Sequence, residues 1–211
     1  MSNIRVTYSG LISLGTKFSS IITGLVFTLI VTRSLSPEEF GTWALIGSLI
    51  VYATIINPII SYWTTRETAR DIESGKTSII SSAMLSAVGM TIYIIVAVFV
   101  GSQTNVDQNI LIFAIILIPV LFINQILEAI NLGWKPHATS IGFIVFEIVK
   151  IPFALLLVYF MDWGLYGVIL STFFSYLLSI IVLTIYAKEK INGKFDINSL
   201  KKWVKLSWLP L

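Results

Sequence analysis

The chain has 211 residues, of which 56% are hydrophobic and only 12% are charged, and its mean hydropathy is +0.89. A soluble domain has about a quarter charged residues, so this composition excludes a soluble globular protein and indicates one embedded in a membrane. The net charge of +3 comes from basic residues spread over short connections, which argues against a nucleic-acid-binding surface. The absence of cysteine excludes disulfides and thiolate metal sites.

Six apolar stretches predict an all-α, polytopic membrane protein in which six transmembrane helices form one bundle. Each stretch is close to the ~20 residues that a helix needs to cross ~30 Å of hydrocarbon. The stretches are too long for barrel strands, so we expect no β-sheet. The predicted spans are 9–32, 40–63, 78–101, 110–133, 139–161 and 164–187.

The basic residues predict the orientation of these spans. With the N-terminus in the cytoplasm, eleven of the fourteen Lys and Arg residues lie on the cytoplasmic side, Arg33 alone lies outside, and Lys17 and Lys150 lie within spans. Membrane proteins keep their Lys and Arg residues preferentially in cytoplasmic loops, so both termini are predicted to be cytoplasmic. The eleven are Arg5, Arg66, Arg70, Lys76, Lys135, Lys188, Lys190, Lys194, Lys201, Lys202 and Lys205.

The spans divide the chain into three predicted parts. Residues 1–187 form the six-helix lobe, residues 188–204 a cytoplasmic amphipathic linker, and residues 205–211 the start of a truncated seventh span. Such an ending is expected of a fragment or of a truncated reading frame. The linker is predicted to contain an interfacial helix, because apolar residues alternate with lysines. The predicted buried face is Ile191, Phe195, Ile197, Leu200 and Trp203.

Three spans contain polar residues on one helical face. They are Gly10, Ser13, Lys17, Ser20, Gly24 and Thr28 on span 1, Asn124, Glu128 and Asn131 on span 4, and Ser140, Glu147 and Lys150 on span 5. A charge at the bilayer centre costs at least ~2.5 kcal/mol, so these faces should meet protein or water. One interpretation is a hydrated cavity with substrate-binding residues Lys17, Asn124, Glu128, Asn131, Glu147 and Lys150. The alternative is that Glu147 pairs with Lys150, three residues away, and that Lys17 pairs with Glu128 or Glu147.

Prolines predict bends in three spans. Asn57-Pro58 interrupts span 2, Pro119 lies inside span 4, and Pro152 lies inside span 5. Each proline removes a backbone hydrogen bond and kinks its helix. Bent helices around polar faces are common in transporters, and also in other membrane proteins.

The sequence does not favour an enzyme. Its one histidine, His137, lies beside Pro136 in a predicted cytoplasmic loop, and no metal-binding, nucleophile or phosphate-loop motif is present, so neither a metal nor a cofactor is expected. The adjacent acids Glu38 and Glu39 follow Ser36-Pro37. This order is typical of a helix N-terminus with Ser36 as its cap, rather than of a catalytic carboxylate pair.

The junction between the first two spans reads Arg33-Ser34-Leu35-Ser36-Pro37-Glu38-Glu39-Phe40-Gly41. It resembles the Arg-x-Leu-Gly-Pro-Glu-Glu-Tyr-Gly junction of prokaryotic polysaccharide transporters. These are Wzx-like flippases for lipid-linked oligosaccharides, in the multidrug/oligosaccharidyl-lipid/polysaccharide exporter superfamily. Weaker resemblances lie at 65–70, 131–135 and 163–167. The matching junction residues are Arg33, Leu35, Pro37, Glu38, Glu39, Phe40 and Gly41, with Ser36 in place of the commoner Gly and Phe40 in place of Tyr.

The resemblance implies one six-helix lobe of a two-lobe, 12–14-helix transporter in the plasma membrane of a prokaryote. The implied function is to move a polyprenyl-diphosphate-linked oligosaccharide to the outer leaflet during polysaccharide biosynthesis. The expected partners are membrane lipid, this glycan, and a missing C-terminal lobe or a second copy of the chain. Two alternatives stay open: a cation-coupled multidrug exporter using Glu128 or Glu147, and a non-transporting scaffold in glycan assembly.

The residues alone suggest Lys17 as a ligand for the diphosphate, since a partly desolvated lysine binds phosphate as a point charge. A buried cation needs compensation when no ligand is bound. We therefore expect a carboxylate, from Glu128 or Glu147, within reach of Lys17.

Overall fold

The structure, a computed structural model, describes residues 6–104 and 106–207. Within these residues all regular elements are helical and no strand is present, as predicted. The helices are α1 (Val6–Ser34), α2 (Pro37–Thr54), α3 (Asn57–Ala69), α4 (Gly75–Gln103), α5 (Gln108–Phe113), α6 (Leu117–Trp134), α7 (Pro136–Ala154), α8 (Gly164–Ala187) and α9 (Ile197–Ser207). A 3₁₀ turn (Ala114–Ile116) joins α5 to α6, and a π-helical segment (Leu155–Phe160) extends α7.

The predicted membrane spans correspond to these helices. Five helices of the described chain are long and apolar enough to cross a membrane, and the bent pair α2–α3 makes a sixth. The last predicted span, 164–187, coincides with α8. α1 and α4 extend beyond their predicted ends, because a helix continues through the polar residues that flank an apolar window. The polytopic all-α fold is therefore confirmed.

The second predicted span is broken into α2 and α3, which meet at an angle of 58°. The break lies immediately before Asn57-Pro58, where proline cannot donate the next helical hydrogen bond. Asn57 is fully buried, donates to Gln125 Oε1 at 2.6 Å and accepts from Ser82 Oγ at 3.3 Å. The bend is therefore held by side chains of α4 and α6 and sets the direction of α3.

The two other prolines also coincide with irregular helix. Pro119 lies one turn after the 3₁₀ turn Ala114–Ile116, and Pro152 lies just before the π-helical segment Leu155–Phe160. A proline leaves a backbone carbonyl of the preceding turn without its helical hydrogen bond. A local 3₁₀ or π-helical segment can provide such a group with a new hydrogen-bond partner.

α6 is the centre of the bundle and packs against α2, α3, α4, α7 and α8. Its Phe122, Ile126 and Ile130 are fully buried. At its end, Gly133 allows close approach of α3, because a Cβ there would lie 2.6 Å from the backbone oxygen of Thr65. The backbones of α3 and α6 are therefore in close contact at this end of the bundle.

The junction between α1 and α2 is a capped helix start. The Ser36 hydroxyl accepts from the Glu39 amide at 3.2 Å, and the Glu39 carboxylate accepts from the Ser36 amide at 2.9 Å. This capping box confirms the predicted cap at Ser36. Glu39 also lies against Gly164, whose φ of +52° and close contact with Glu39 Oε1 both favour glycine. The two motifs at 33–41 and 163–167 thus meet in space.

α9 packs on the ends of α3 and α4. Trp203 is fully buried and its indole donates to Glu67 Oε1 at 2.8 Å, while Trp63 donates to Ser207 Oγ at 2.9 Å. Of the predicted apolar face, Trp203 packs inside the protein, whereas Phe195 and Ile197 are exposed on the protein surface. Contact of this face with the membrane surface stays a prediction.

The predicted boundary between the linker and the seventh span lies within α9. Residues 205–207 continue α9. Residues 208–211 lie outside the described part of the chain, so the seventh span stays a prediction.

Single cysteines will test the predicted orientation, since the chain contains none of its own. Gln103 and Lys194 are both exposed and lie at opposite ends of the lobe. We expect a membrane-impermeant maleimide to label Gln103→Cys in intact cells and to label Lys194→Cys only after permeabilisation. The reverse labelling pattern would contradict the assigned topology.

Candidate functional site

A groove of about 860 Å³ opens between α3, α6 and α7. It follows α3 from Pro58 to Arg70, about 18 Å at ~1.5 Å of rise per residue. That length is about half of the ~30 Å hydrocarbon thickness. The groove begins at the bend before α3 and reaches the end of the bundle that the charge bias assigns to the cytoplasm.

Two arginines at the end of α3 line the groove: Arg66 in its last turn and Arg70, the residue directly after it. The Arg66 guanidinium lies 3.4 Å from the Tyr62 hydroxyl and 5.5 Å from the centre of the Trp63 ring. Among the described residues, neither arginine has a carboxylate within 4.0 Å. Both guanidinium groups are therefore available to an anionic ligand, and their planar donors suit phosphate oxygens.

The opposite wall, on α6, contains Gln125 and Glu128, and these two side chains also line a second, inner cavity of about 210 Å³. The Asn124 amide donates to Glu128 Oε1 at 2.7 Å. Asn124 also lines the inner cavity, together with Tyr176 and Ser179 of α8. Glu128 thus borders both the open groove and the interior of the lobe.

A separate polar cluster joins α7 to α1. Lys150 Nζ lies 3.0 Å from Glu147 Oε1, and Thr23 donates to Glu147 Oε2 at 2.7 Å. The ammonium group also lies 4.8 Å from the ring centres of Phe27 and Phe146. Both charges are buried and compensated inside the lobe. The pairing of Glu147 with Lys150, one of the two interpretations of the span 5 residues, is therefore present.

Lys17 does not have the partner that we expected. Its side chain is exposed on α1, and none of the ion pairs among the described residues includes it. Glu147 binds Lys150 and Thr23 instead, and Glu128 accepts from Asn124. The expected carboxylate beside Lys17 is therefore wrong in the described part of the chain.

The remaining predicted residues serve packing or lie elsewhere. The Asn131 amide donates to the backbone oxygens of Leu127 and Leu183, both at 2.9 Å, and so ties α6 to α8. Ser140 is buried. On α1, Ser20 and Gly24 are half-buried, Gly10 and Thr28 are exposed, and the side chain of Ser13 lies outside the described residues.

The predicted polar residues make different hydrogen bonds and ion pairs. Asn124 and Glu128 come together, Glu147 and Lys150 form their own cluster with Thr23, and Lys17 lies apart from both. Glu147 and Lys150 are each only 8% exposed, and Glu147 is bonded to Thr23 of α1. A hydrated cavity shared by all of these residues stays a prediction.

Sequence reasoning missed Arg66 and Arg70 as site residues. They follow the apolar window of span 2, so they were counted as loop charges that set orientation. Their spacing of four residues was a usable signal, since residues four apart share a face if the helix continues. The helix does continue, to Ala69, with Arg70 as its C-cap residue, and both arginines line the groove.

Comparison with known proteins agrees with the fold and the sequence motifs. The family model of polysaccharide biosynthesis proteins matches residues 7–208 of the chain. No curated protein and no solved structure matches significantly. Because the family match covers almost the whole chain, and because the described residues form five to six membrane-spanning helices, the chain is a multi-pass membrane protein that belongs to the polysaccharide biosynthesis protein family.

Proposed function

We propose that this protein is a flippase that moves a polyprenyl-diphosphate-linked oligosaccharide from the cytoplasmic to the outer leaflet of a prokaryotic plasma membrane. The observation that supports this most directly is the groove of about 860 Å³ with two unpaired arginines on one wall. Membership of the polysaccharide biosynthesis family supports the substrate class.

Each chemical part of such a substrate matches a feature of the groove or of the surrounding bilayer. The diphosphate is an anion, and Arg66 and Arg70 provide guanidinium groups that form charge-assisted hydrogen bonds with phosphate. The glycan is polar and needs hydration, which an open groove lined by Gln125, Thr65 and Thr139 supplies. The lipid tail stays in the bilayer beside the groove.

In this proposal, the groove receives the substrate from the cytoplasmic leaflet. Its mouth lies at the end of α3, beside the connections at 70–74 and 135, which the positive-inside bias assigns to the cytoplasm. Its inner end, at Pro58, follows the bend in the second span, which we expect to lie within the membrane. A substrate drawn in by the arginines would thus have its polar part carried about halfway across before any change of conformation.

Lys17 is proposed as a further cation for the diphosphate during transfer. Its exposure on α1, on the flank of the half-buried Ser20 and Gly24, leaves its ammonium group accessible to a ligand. We expect Lys17→Ala to strongly reduce flipping and Lys17→Arg to keep part of it, because arginine retains the charge but changes the geometry. Normal flipping by Lys17→Ala at equal membrane abundance would remove Lys17 from the proposed site.

Reconstitution into proteoliposomes tests the function directly. A fluorescent polyprenyl-diphosphate-linked oligosaccharide is placed in the bilayer, and a membrane-impermeant quencher reports how much of it occupies the outer leaflet. We expect the protein to accelerate exchange between leaflets, and Lys17→Ala to slow it.

Two other results of the transport experiment would contradict the flippase proposal and favour a different function. Transport of a cationic dye but not of the glycolipid would indicate a multidrug exporter, with Glu128 on the groove wall as the natural partner of a cation. Transport of neither, with the protein shown to be folded, would indicate a scaffold in glycan assembly.

A further inference from the structure

We propose that a crevice between α1 and the π-helical segment Leu155–Phe160 binds one phospholipid of the outer leaflet, with Arg33 at its phosphate group. The crevice has a volume of about 290 Å³. It shares no lining residue with the groove or with the inner cavity. The proposed lipid site is therefore independent of the flippase function.

The crevice lies where α1 passes beyond its polar contacts with α7. Thr23 of α1 donates to Glu147 Oε2 at 2.7 Å, and the Lys150 ammonium group lies 4.8 Å from the ring centre of Phe27. After these contacts, α7 continues as the π-helical segment Leu155–Phe160, and the crevice opens between this segment and α1. Its two walls are thus helical segments that are held together at one end.

The inner part of the crevice is apolar. Its three aliphatic residues on α1 lie three, four and seven positions before Arg33, so they share one face of the helix with it. From the first of them to Arg33, α1 rises about 10 Å at ~1.5 Å per residue. This part of the crevice suits a hydrocarbon chain. The aliphatic lining residues are Val26, Leu29, Ile30 and Leu155.

The three polar lining groups lie at the outer end of the crevice, and all of them can donate hydrogen bonds. They are the Arg33 guanidinium and the hydroxyls of Ser34 and Tyr159. Arg33 is exposed in the last turn of α1 and has no carboxylate within 4.0 Å among the described residues. A guanidinium group donates two parallel hydrogen bonds to phosphate oxygens. This end of the crevice therefore suits a phosphate group.

Exposed aromatic side chains indicate that the polar end lies at the depth of the lipid headgroups. Tyr159 is 65% exposed, and Trp163, which follows the π-helical segment, is 47% exposed. Tyr and Trp are enriched where a membrane meets water. Arg33 is also the one Lys or Arg residue that the predicted topology places outside. The order of polar and apolar groups along the crevice thus matches a phospholipid from its phosphate to its acyl chains.

A lipid fits this site better than a soluble phosphate. A single exposed cation gains little from an anion in water. A phospholipid is already confined to the bilayer beside the crevice, so its phosphate reaches Arg33 at a high effective concentration. Because the contact is with the phosphate, the site should accept phosphatidylglycerol and phosphatidylethanolamine with similar affinity.

Native mass spectrometry of the delipidated protein in detergent tests the site by titration with phosphatidylglycerol. We expect one phospholipid to bind more tightly than any further lipid. Diacylglycerol has the same chains without the phosphate, and glycerol phosphate has the phosphate without the chains. Each of them should bind about tenfold more weakly or worse. Equal binding of diacylglycerol would contradict recognition of the phosphate.

Substitutions of Arg33 test its contact with the lipid. Arg33→Gln should weaken binding of the first phosphatidylglycerol about tenfold. Arg33→Lys should keep part of the affinity, because lysine binds phosphate as a point charge. Thermal unfolding in the same detergent shows that each variant is folded. Unchanged binding by folded Arg33→Gln would overturn the site.

Two tryptophan substitutions on one face of α1 provide a matched comparison. Leu29 lines the crevice, whereas Ile22 lies seven residues earlier, is 65% exposed and does not line it. Leu29→Trp should fill part of the crevice and weaken lipid binding, and Ile22→Trp should not. Equal effects of the two substitutions would contradict the assigned position.

A competition experiment distinguishes a bilayer phospholipid from a polyprenyl lipid. We expect a polyprenyl phosphate to displace phosphatidylglycerol no better than unlabelled phosphatidylglycerol does. Displacement at about tenfold lower concentration would assign the crevice to polyprenyl lipids and overturn the proposal. None of these measurements requires transport, so a failure of the flippase proposal would leave the lipid site unaffected.

Discussion

Replacing both groove arginines, by Arg66→Gln and Arg70→Gln together, is expected to reduce glycan export about 100-fold. A hydrogen bond to a charged group contributes about 1.5–3 kcal/mol. Each ~1.4 kcal/mol corresponds to a factor of ten, so two such bonds lost give about two orders of magnitude. Each single variant should lose about tenfold. The measurement is surface glycan in cells that depend on this protein, with membrane abundance determined by immunoblot.

A control with the same change in charge is available at the same end of the molecule. Lys201 and Lys202 are exposed on α9 and do not line the groove. Lys201→Gln with Lys202→Gln should leave export nearly unchanged. Because cytoplasmic charges also set orientation, labelling of Lys194→Cys must show that the arginine variants keep their topology. Normal export by the double arginine variant would exclude the groove as the diphosphate site.

Removing one partner of the buried Glu147–Lys150 pair is expected to destabilise the lobe severely. Lys150→Ala leaves the Glu147 carboxylate buried with Thr23 as its one side-chain donor among the described residues, and breaking such a pair costs about 3–5 kcal/mol. The protein should unfold at a markedly lower temperature in detergent and should accumulate less in membranes.

Replacing both partners distinguishes a structural role from a functional one. Lys150→Met with Glu147→Gln removes both charges and keeps the volumes similar, so most of the lost stability should return. Full export by this double variant would assign the pair to packing alone. Normal stability with lost export would give the pair a role in transport, as the sequence suggested for Glu147 and Lys150.

The sequence by itself determined the class and the outline of this protein. Six apolar runs predict six spans because hydrocarbon forces the backbone to satisfy its own hydrogen bonds over a fixed thickness. Proline at 58 and the capping residues Ser36 and Glu39 act through their nearest neighbours. Local effects of this kind are readable from local sequence.

The tertiary structure alone decided which polar residues form a site. Glu128 and Glu147 look equivalent in the sequence, as single carboxylates on helical polar faces. In the bundle, Glu147 meets Lys150 and a threonine of α1, while Glu128 borders the groove and the inner cavity. That difference depends on how α6 and α7 rotate about their axes, which the packing of all neighbouring helices sets.

Arg66 and Arg70 also show that the sequence alone does not reveal which charged residues form a site. Their charges were visible in the sequence and correctly placed at the end of a span. Their direction depends on the 58° bend before α3, which side chains of α4 and α6 hold through Asn57. Hydropathy and charge act along one chain segment, whereas a binding site is made by segments far apart in sequence, so only their packing could reveal the groove.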